Sequence, residues 1–225
     1  NTVALTGGTA MISEPVNKPD VQAVWRNYEI MRPASRENSR LLTLGKSDKN
    51  SIFGFSADRT WGDFAVYNLY NSDKNKPVDL TLDFADAGLP AGIRCAVYNF
   101  WENKVVGYAT DSFTGKNILK NGSLLLRFTP LTGNFPQLVG SNLHLSIGAT
   151  EIEEVYTTST SIKIMLSSAG AQTGDLIFYS TKPLGAGVSE NCSISSVQAL
   201  GDNLWKVSLK GRTWNTKQQV NLIIK

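Results

Sequence analysis

One histidine, His144, and two cysteines, Cys95 and Cys192, are all that 225 residues offer of the side chains that most readily ligate transition metals. A His-pair or triple-His metal site is therefore excluded, and so is a catalytic triad with a second imidazole relay. No Gly-x-Ser-x-Gly elbow accompanies the lone histidine. No metal and no organic cofactor is indicated. Two cysteines so far apart in the chain do not make a disulfide framework, and buried free thiols are the expected state. Charge is scarce too: charged residues make up 18% of the chain, and 22 basic against 19 acidic side chains leave a net +3. No Lys or Arg run would track phosphates, so nucleic acid is not an expected partner. No apolar run approaches the roughly 18–20 residues that cross a bilayer, so no membrane span is expected. An initiator Met and a signal sequence are also missing, and the chain reads as beginning in the middle of a longer protein.

What the chain has is alternation. From Trp61 to Asn71, Phe64, Val66 and Asn68 fall on one face and Ala65, Tyr67 and Leu69 on the other, before a turn-forming cluster at Asn71 to Asn75. Val78 to Leu82 is expected to return as the neighbour of that strand. Arg94 to Trp101 and Lys104 to Tyr108, joined by Glu102-Asn103, read as a hairpin, and Leu124 to Phe128 closes the set.

The order of residues adds to the periodicity. Phe64-Ala65-Val66-Tyr67-Asn68-Leu69-Tyr70-Asn71-Ser72, then Ala87-Gly88-Leu89-Pro90, Tyr98-Asn99-Phe100-Trp101-Glu102, Gly107, Asp111-Ser112-Phe113 and Leu124 to Pro130 resemble one known element. It is the C-terminal antiparallel β-sandwich that follows the catalytic barrel in α-galactosidase-like (melibiase-type) glycoside hydrolases. Gln137 to His144 resembles the way such chains continue. The resemblance implies that residues 1–33 are the strand, turn and helix ending a (β/α) barrel. It implies a secreted or periplasmic location and α-linked galactosides as the parent enzyme's substrates.

In chain order, residues 1–14 read as a short apolar strand, a glycine turn and a second short apolar piece, Ala10-Met11-Ile12. Asn17-Lys18-Pro19-Asp20 opens a helix whose Val21, Val24, Trp25 and Tyr28 recur at helical spacing, and Trp25 and Tyr28 are expected to bury against the sandwich. Residues 34–130 form the first sandwich. The Pro- and Gly-rich segment from Thr129 to Pro136 reads as a connector. Seven short strands follow within 131–225, starting with Leu138 to Leu145 and ending with a strand that puts Val220, Leu222 and Ile224 on one face. They suggest a second sandwich of immunoglobulin-like size. The expected class is all-β: two antiparallel sandwiches in tandem behind a strand-turn-helix.

Catalytic carboxylates of the retaining type stand about 5 Å apart. In the resembled enzymes both lie on the barrel, upstream of anything matched here, so the chain is expected to be inactive alone. Asp58 and Asp63, flanking Trp61, read as solvated turn residues, and Glu151, Glu153 and Glu154 as an outward polar strand face. His144 reads as structural and Gly185-Ala186-Gly187 as a turn. Sugars stack their C–H faces on aromatic rings, so exposed Trp and Tyr are the groups to seek. Trp61 and Trp101 read as core, whereas Trp214, in the polar loop Lys210 to Lys217, is the candidate carbohydrate platform. Two readings stand: the non-catalytic tail of a glycoside hydrolase, with its own barrel and an oligo- or polysaccharide as partners, or a free-standing carbohydrate-binding or adhesive protein.

Overall fold

The computed structural model describes residues 5, 18, 19, 24–45, 50–133, 136–213 and 215–225. The two apolar pieces expected before residue 14, the helix start at Asn17 to Asp20 and Val21 lie wholly or largely outside the described residues, as does Trp214.

The chain is all-β, with antiparallel sheets. β1 (Arg40–Leu41), β2 (Asn50–Ala57), β3 (Phe64–Asn71), β5 (Cys95–Asn99), β6 (Lys104–Ala109) and β8 (Ser123–Pro130) form a six-stranded sheet ordered β1-β2-β3-β8-β5-β6. β4 (Val78–Asp83) and β7 (Ser112–Ile118) form a two-stranded sheet. β4 thus pairs with β7 and not with β3, contrary to the sequence expectation. Its alternation, with Leu80 and Leu82 buried between exposed neighbours, suits a layer lying over the larger sheet. Leu80, Leu82 and Phe84 pack there on Tyr67, Leu69, Val97 and Phe128.

The remaining strands build a second pair of sheets. β9 (Gln137–Ser141), β12 (Gly174–Tyr179), β14 (Ser193–Gly201) and β15 (Leu204–Lys210) form one, ordered β14-β15-β12-β9. β10 (Ile152–Thr157), β11 (Ser161–Leu166), β13 (Leu184–Ala186) and β16 (Gln218–Ile224) form the other, ordered β10-β11-β16-β13. Ile162, Ile164 and Leu166 lie beside Val220, Leu222 and Ile224 on the inner face of this sheet and pack on Leu176 and Phe178 of the opposite one. Gly201-Asp202-Asn203, all at positive φ, turn the β14–β15 hairpin. The segment expected as a strand to Leu145 leaves its sheet after Ser141, and Asn142 to Ala149 forms turns. Gly185 lies inside edge strand β13 and not in a turn.

A third core decides the arrangement. β3 and β5 are buried along nearly their whole length, as strands covered on both faces must be. Phe55, Phe64, Val66, Ala96 and Tyr98 turn away from the β4–β7 layer and pack on Val139, Leu145, Ile147 and Ile177 of the second sandwich. Contact there is close enough that a Cβ at Gly140 would lie 2.4 Å from the Tyr98 ring. Polar groups close the edge of the seam: Tyr98 donates to Asn103 Oδ1 (2.8 Å), and Asn103 Nδ2 donates to Asp175 (2.6 Å).

Candidate functional site

The segment ahead of β1 lies against the second sandwich. α1 (Trp25–Glu29) spans five residues with no side-chain N-cap, too short to stand by itself. It is held from outside. Arg26 donates to the carbonyls of Thr173 (2.6 Å) and Asn142 (3.0 Å), and Ile30 is buried in the seam between the sandwiches. Leu145 N–H donates to Ile30 O (2.9 Å), and Gly170 N–H donates to Arg32 O (3.0 Å).

This docking leaves Trp25 and Tyr28 half-buried beside the second sandwich, where they were expected to bury against the first. Their ring centroids are 5.9 Å apart at 57°, so the two rings form a tilted corner. They line a cavity of about 370 Å³ whose other walls include Glu29, Arg32, Ser168 and Asn215. Gly170 also lines it, at φ +83°, and a Cβ there would stand 2.4 Å from Leu143 O. The Ser167 to Ala171 turn is shaped by buried Arg212, which donates to the carbonyls of Ser167 (2.9 Å), Ala169 (2.8 Å) and Ala171 (2.6 Å). Trp214 lies outside the described residues, but its chain neighbour Asn215 is part of the wall. Sequence reasoning missed Trp25 and Tyr28 as lining residues because helical spacing marks a shared face without saying what that face meets.

Behind the cavity lies a buried polar cluster. His144 is fully buried, and Ser146 N–H donates to its Nδ1 (3.0 Å). The proton therefore sits on Nε2, which donates to Pro33 O (2.7 Å). Burial pushes the His144 pKa below its ordinary value against the opposing pull of Glu151, so the ring is neutral at pH 7. Glu151 is also fully buried, not on an outward strand face as its spacing from Glu153 suggested. It accepts from Ser141 Oγ (2.7 Å), Gly148 N–H (2.8 Å) and Ser146 Oγ (3.3 Å). These bonds and the positive fields of nearby Arg127 and Arg212 compensate a carboxylate that could not otherwise be buried. Such satisfaction is the mark of a structural group.

Asp58 and Asp63 are exposed beside the turn before β3 and line no part of the Trp25 cavity. Partial burial, then the charge of Asp58, pushes the Asp63 carboxyl up from its ordinary value. Trp61 stacks on Phe64 with centroids 5.3 Å apart. Trp101, expected in the core, is 53% exposed at the β5–β6 turn, edge-on to Phe100. Among the described residues there is no cluster of three or more His, Cys, Asp or Glu able to hold a metal. No helix among them is long and apolar enough to cross a membrane.

No family model matches the chain, and no curated protein matches it. Solved structures that resemble it are glycoside hydrolases. α-Galactosidase I from Mortierella vinacea is 14% identical, with 56% of this chain and 33% of that one covered, at a TM-score of 0.44. A β-L-arabinopyranosidase from Geobacillus stearothermophilus is 13% identical over 52% of this chain and 25% of its own, at 0.40. The isomalto-dextranase of Arthrobacter globiformis T6, complexed with panose, is 14% identical over 99% of this chain and 43% of its own, at 0.42. The chain thus spans a quarter to under half the length of these structures, and likeness at this level assigns no activity.

Proposed function

We propose that this chain is the non-catalytic β-sandwich portion of an α-galactosidase-like glycoside hydrolase, bracing a catalytic barrel that precedes it and contacting carbohydrate. In this reading residues 1–33 end the barrel, 34–130 are the sandwich of the glycosidase type, and 131–225 are a second sandwich that clamps the junction. The residue pattern from Trp61 to Pro130 supports the family. One structural observation carries the bracing role: the segment from Arg26 to Pro33 is bonded to the second sandwich at Thr173, Asn142, Leu145, Gly170 and His144. Anything upstream of Trp25 would be tied to a rigid double sandwich and not to a loose tether. A secreted or periplasmic location belongs to the same proposal.

Reading the coding sequence upstream of Asn1 tests it. Several hundred residues of alternating strand and helix with barrel aspartates should precede, and removing residues 34–225 from that protein should lower its melting temperature. The isolated 225-residue chain should release nothing from nitrophenyl glycosides. A start codon directly upstream of Asn1 sinks the proposal.

A further inference from the structure

We infer that the cavity between α1 and the Ser167–Ala171 turn is a binding site for a single neutral pyranose ring, with Trp25 and Tyr28 as its apolar walls. The inference deepens the carbohydrate half of the reading above and does not need the barrel half. The wall chemistry carries it. Two aromatic side chains, with ring centroids 5.9 Å apart at 57°, line the cavity, and an aromatic wall suits the C–H face of a sugar. Around them stand a carboxylate (Glu29), a guanidinium (Arg32), a hydroxyl (Ser168) and an amide (Asn215), so donors and acceptors are both on hand for ring hydroxyls. A phosphate or carboxylate ligand would meet Glu29, and a cationic one would meet Arg32. The two charges cancel, and an uncharged, hydroxyl-rich ligand fits the sum.

Size points the same way. At about 370 Å³ the cavity is near the lower end of the range of roughly 300–1,000 Å³ for small-molecule pockets, room for one ring and its linkage. The walls are also fixed in advance. Arg26 anchors the helix, and Arg212 holds the turn by three carbonyls, so binding orders little of the backbone.

The test is a titration of the 225-residue chain, by calorimetry and ligand-observed NMR, with methyl galactopyranosides, glucopyranosides and arabinopyranosides, and with glucuronate and glucosamine as charged controls. A neutral methyl pyranoside should bind with a Kd on the order of 1–10 mM, as expected for so small a ligand, and the charged controls should bind more weakly. Trp25→Ala should weaken binding about tenfold, the loss of one aromatic wall. Ser168→Trp, which fills the cavity from an exposed rim position and leaves the core untouched, should abolish binding while the melting temperature stays unchanged. No saturable binding of any neutral pyranoside overturns the inference. So does binding that survives Ser168→Trp, which would place the sugar elsewhere, and so does preference for a charged control. None of these results depends on what lies upstream, so the bracing proposal stands or falls separately.

Discussion

His144 Nε2 donates to the main-chain carbonyl of Pro33 across 2.7 Å, joining two residues 111 positions apart. The bond ties the segment ahead of the first sandwich to the turn that follows β9 in the second. It requires a neutral ring, because the other nitrogen already accepts from Ser146 N–H.

The pH dependence of stability follows from this. Burial holds the folded-state pKa of His144 below the unfolded value of about 6.5. Below pH 6.5 the unfolded chain takes up the proton first, so this contribution to stability is complete above that pH and is lost as pH falls toward the folded pKa. Glu151 opposes the shift, as do the backbone groups of Pro33 and Met31, while Arg212 adds to it. In urea melts from pH 7.5 to 5, the unfolding midpoint should fall on acidification, and His144→Gln should flatten that fall. At pH 7 the variant should cost about 1–2 kcal/mol through the disturbed hydrogen bonds.

Gly140 is expected to tolerate no side chain. A Cβ there would stand 2.4–2.6 Å from the Tyr98 ring, and both residues lie in the packed seam. Gly140→Ala should destabilise by about 1–3 kcal/mol through overpacking. Combined with Tyr98→Leu, the two losses should be less than additive, since the smaller side chain relieves the clash. Additive losses would mean that the two residues do not meet.

Arg127 should be intolerant even of lysine. Its guanidinium donates to Ile147 O (2.7 Å), Leu138 O (2.8 Å) and Thr129 Oγ1 (2.9 Å), and lies 3.8 Å from the Phe64 ring centroid. Burial pushes its pKa down to about 9, which still leaves it charged at pH 7. Truncation to Ala would strand two carbonyls and leave Glu151 with Arg212 as its remaining compensating charge, at about 3–5 kcal/mol. Arg127→Lys offers one point donor in place of a fork and should recover only part of that. Chemical denaturation at pH 7 measures both.

The thiols should differ in accessibility. Both are free; Cys95 is buried and Cys192 partly buried. Burial pushes the Cys95 thiol up to about 11, so little of it is thiolate at pH 8. In native protein a disulfide reagent should titrate Cys192 well before Cys95, and both should react at once in denaturant. Equal native rates would mean that the β4–β7 layer over Cys95 opens readily.

Periodicity along the chain settled the all-β class and much of its detail. Val220, Leu222 and Ile224 face inward together as their alternation requires, and Glu102-Asn103 and Gly201-Asp202 turn hairpins as their residues demand. These are local rules, felt between residues a few positions apart. Tertiary structure alone decided which strands pair and what covers each face. Val78 to Asp83 had the alternation of a strand but no local feature naming β7 and not β3 as its partner. Glu151 kept a strand-like spacing from Glu153, yet it is buried because Ser141 at the end of β9 and Ser146 and Gly148 in the turn after it converge on it. Trp25 and Tyr28 carried a helical face in sequence. Whether that face met a core or lined a cavity depended on the Ser167–Ala171 turn, more than a hundred residues away, and on the long-range hydrogen bonds of Arg212 that hold it.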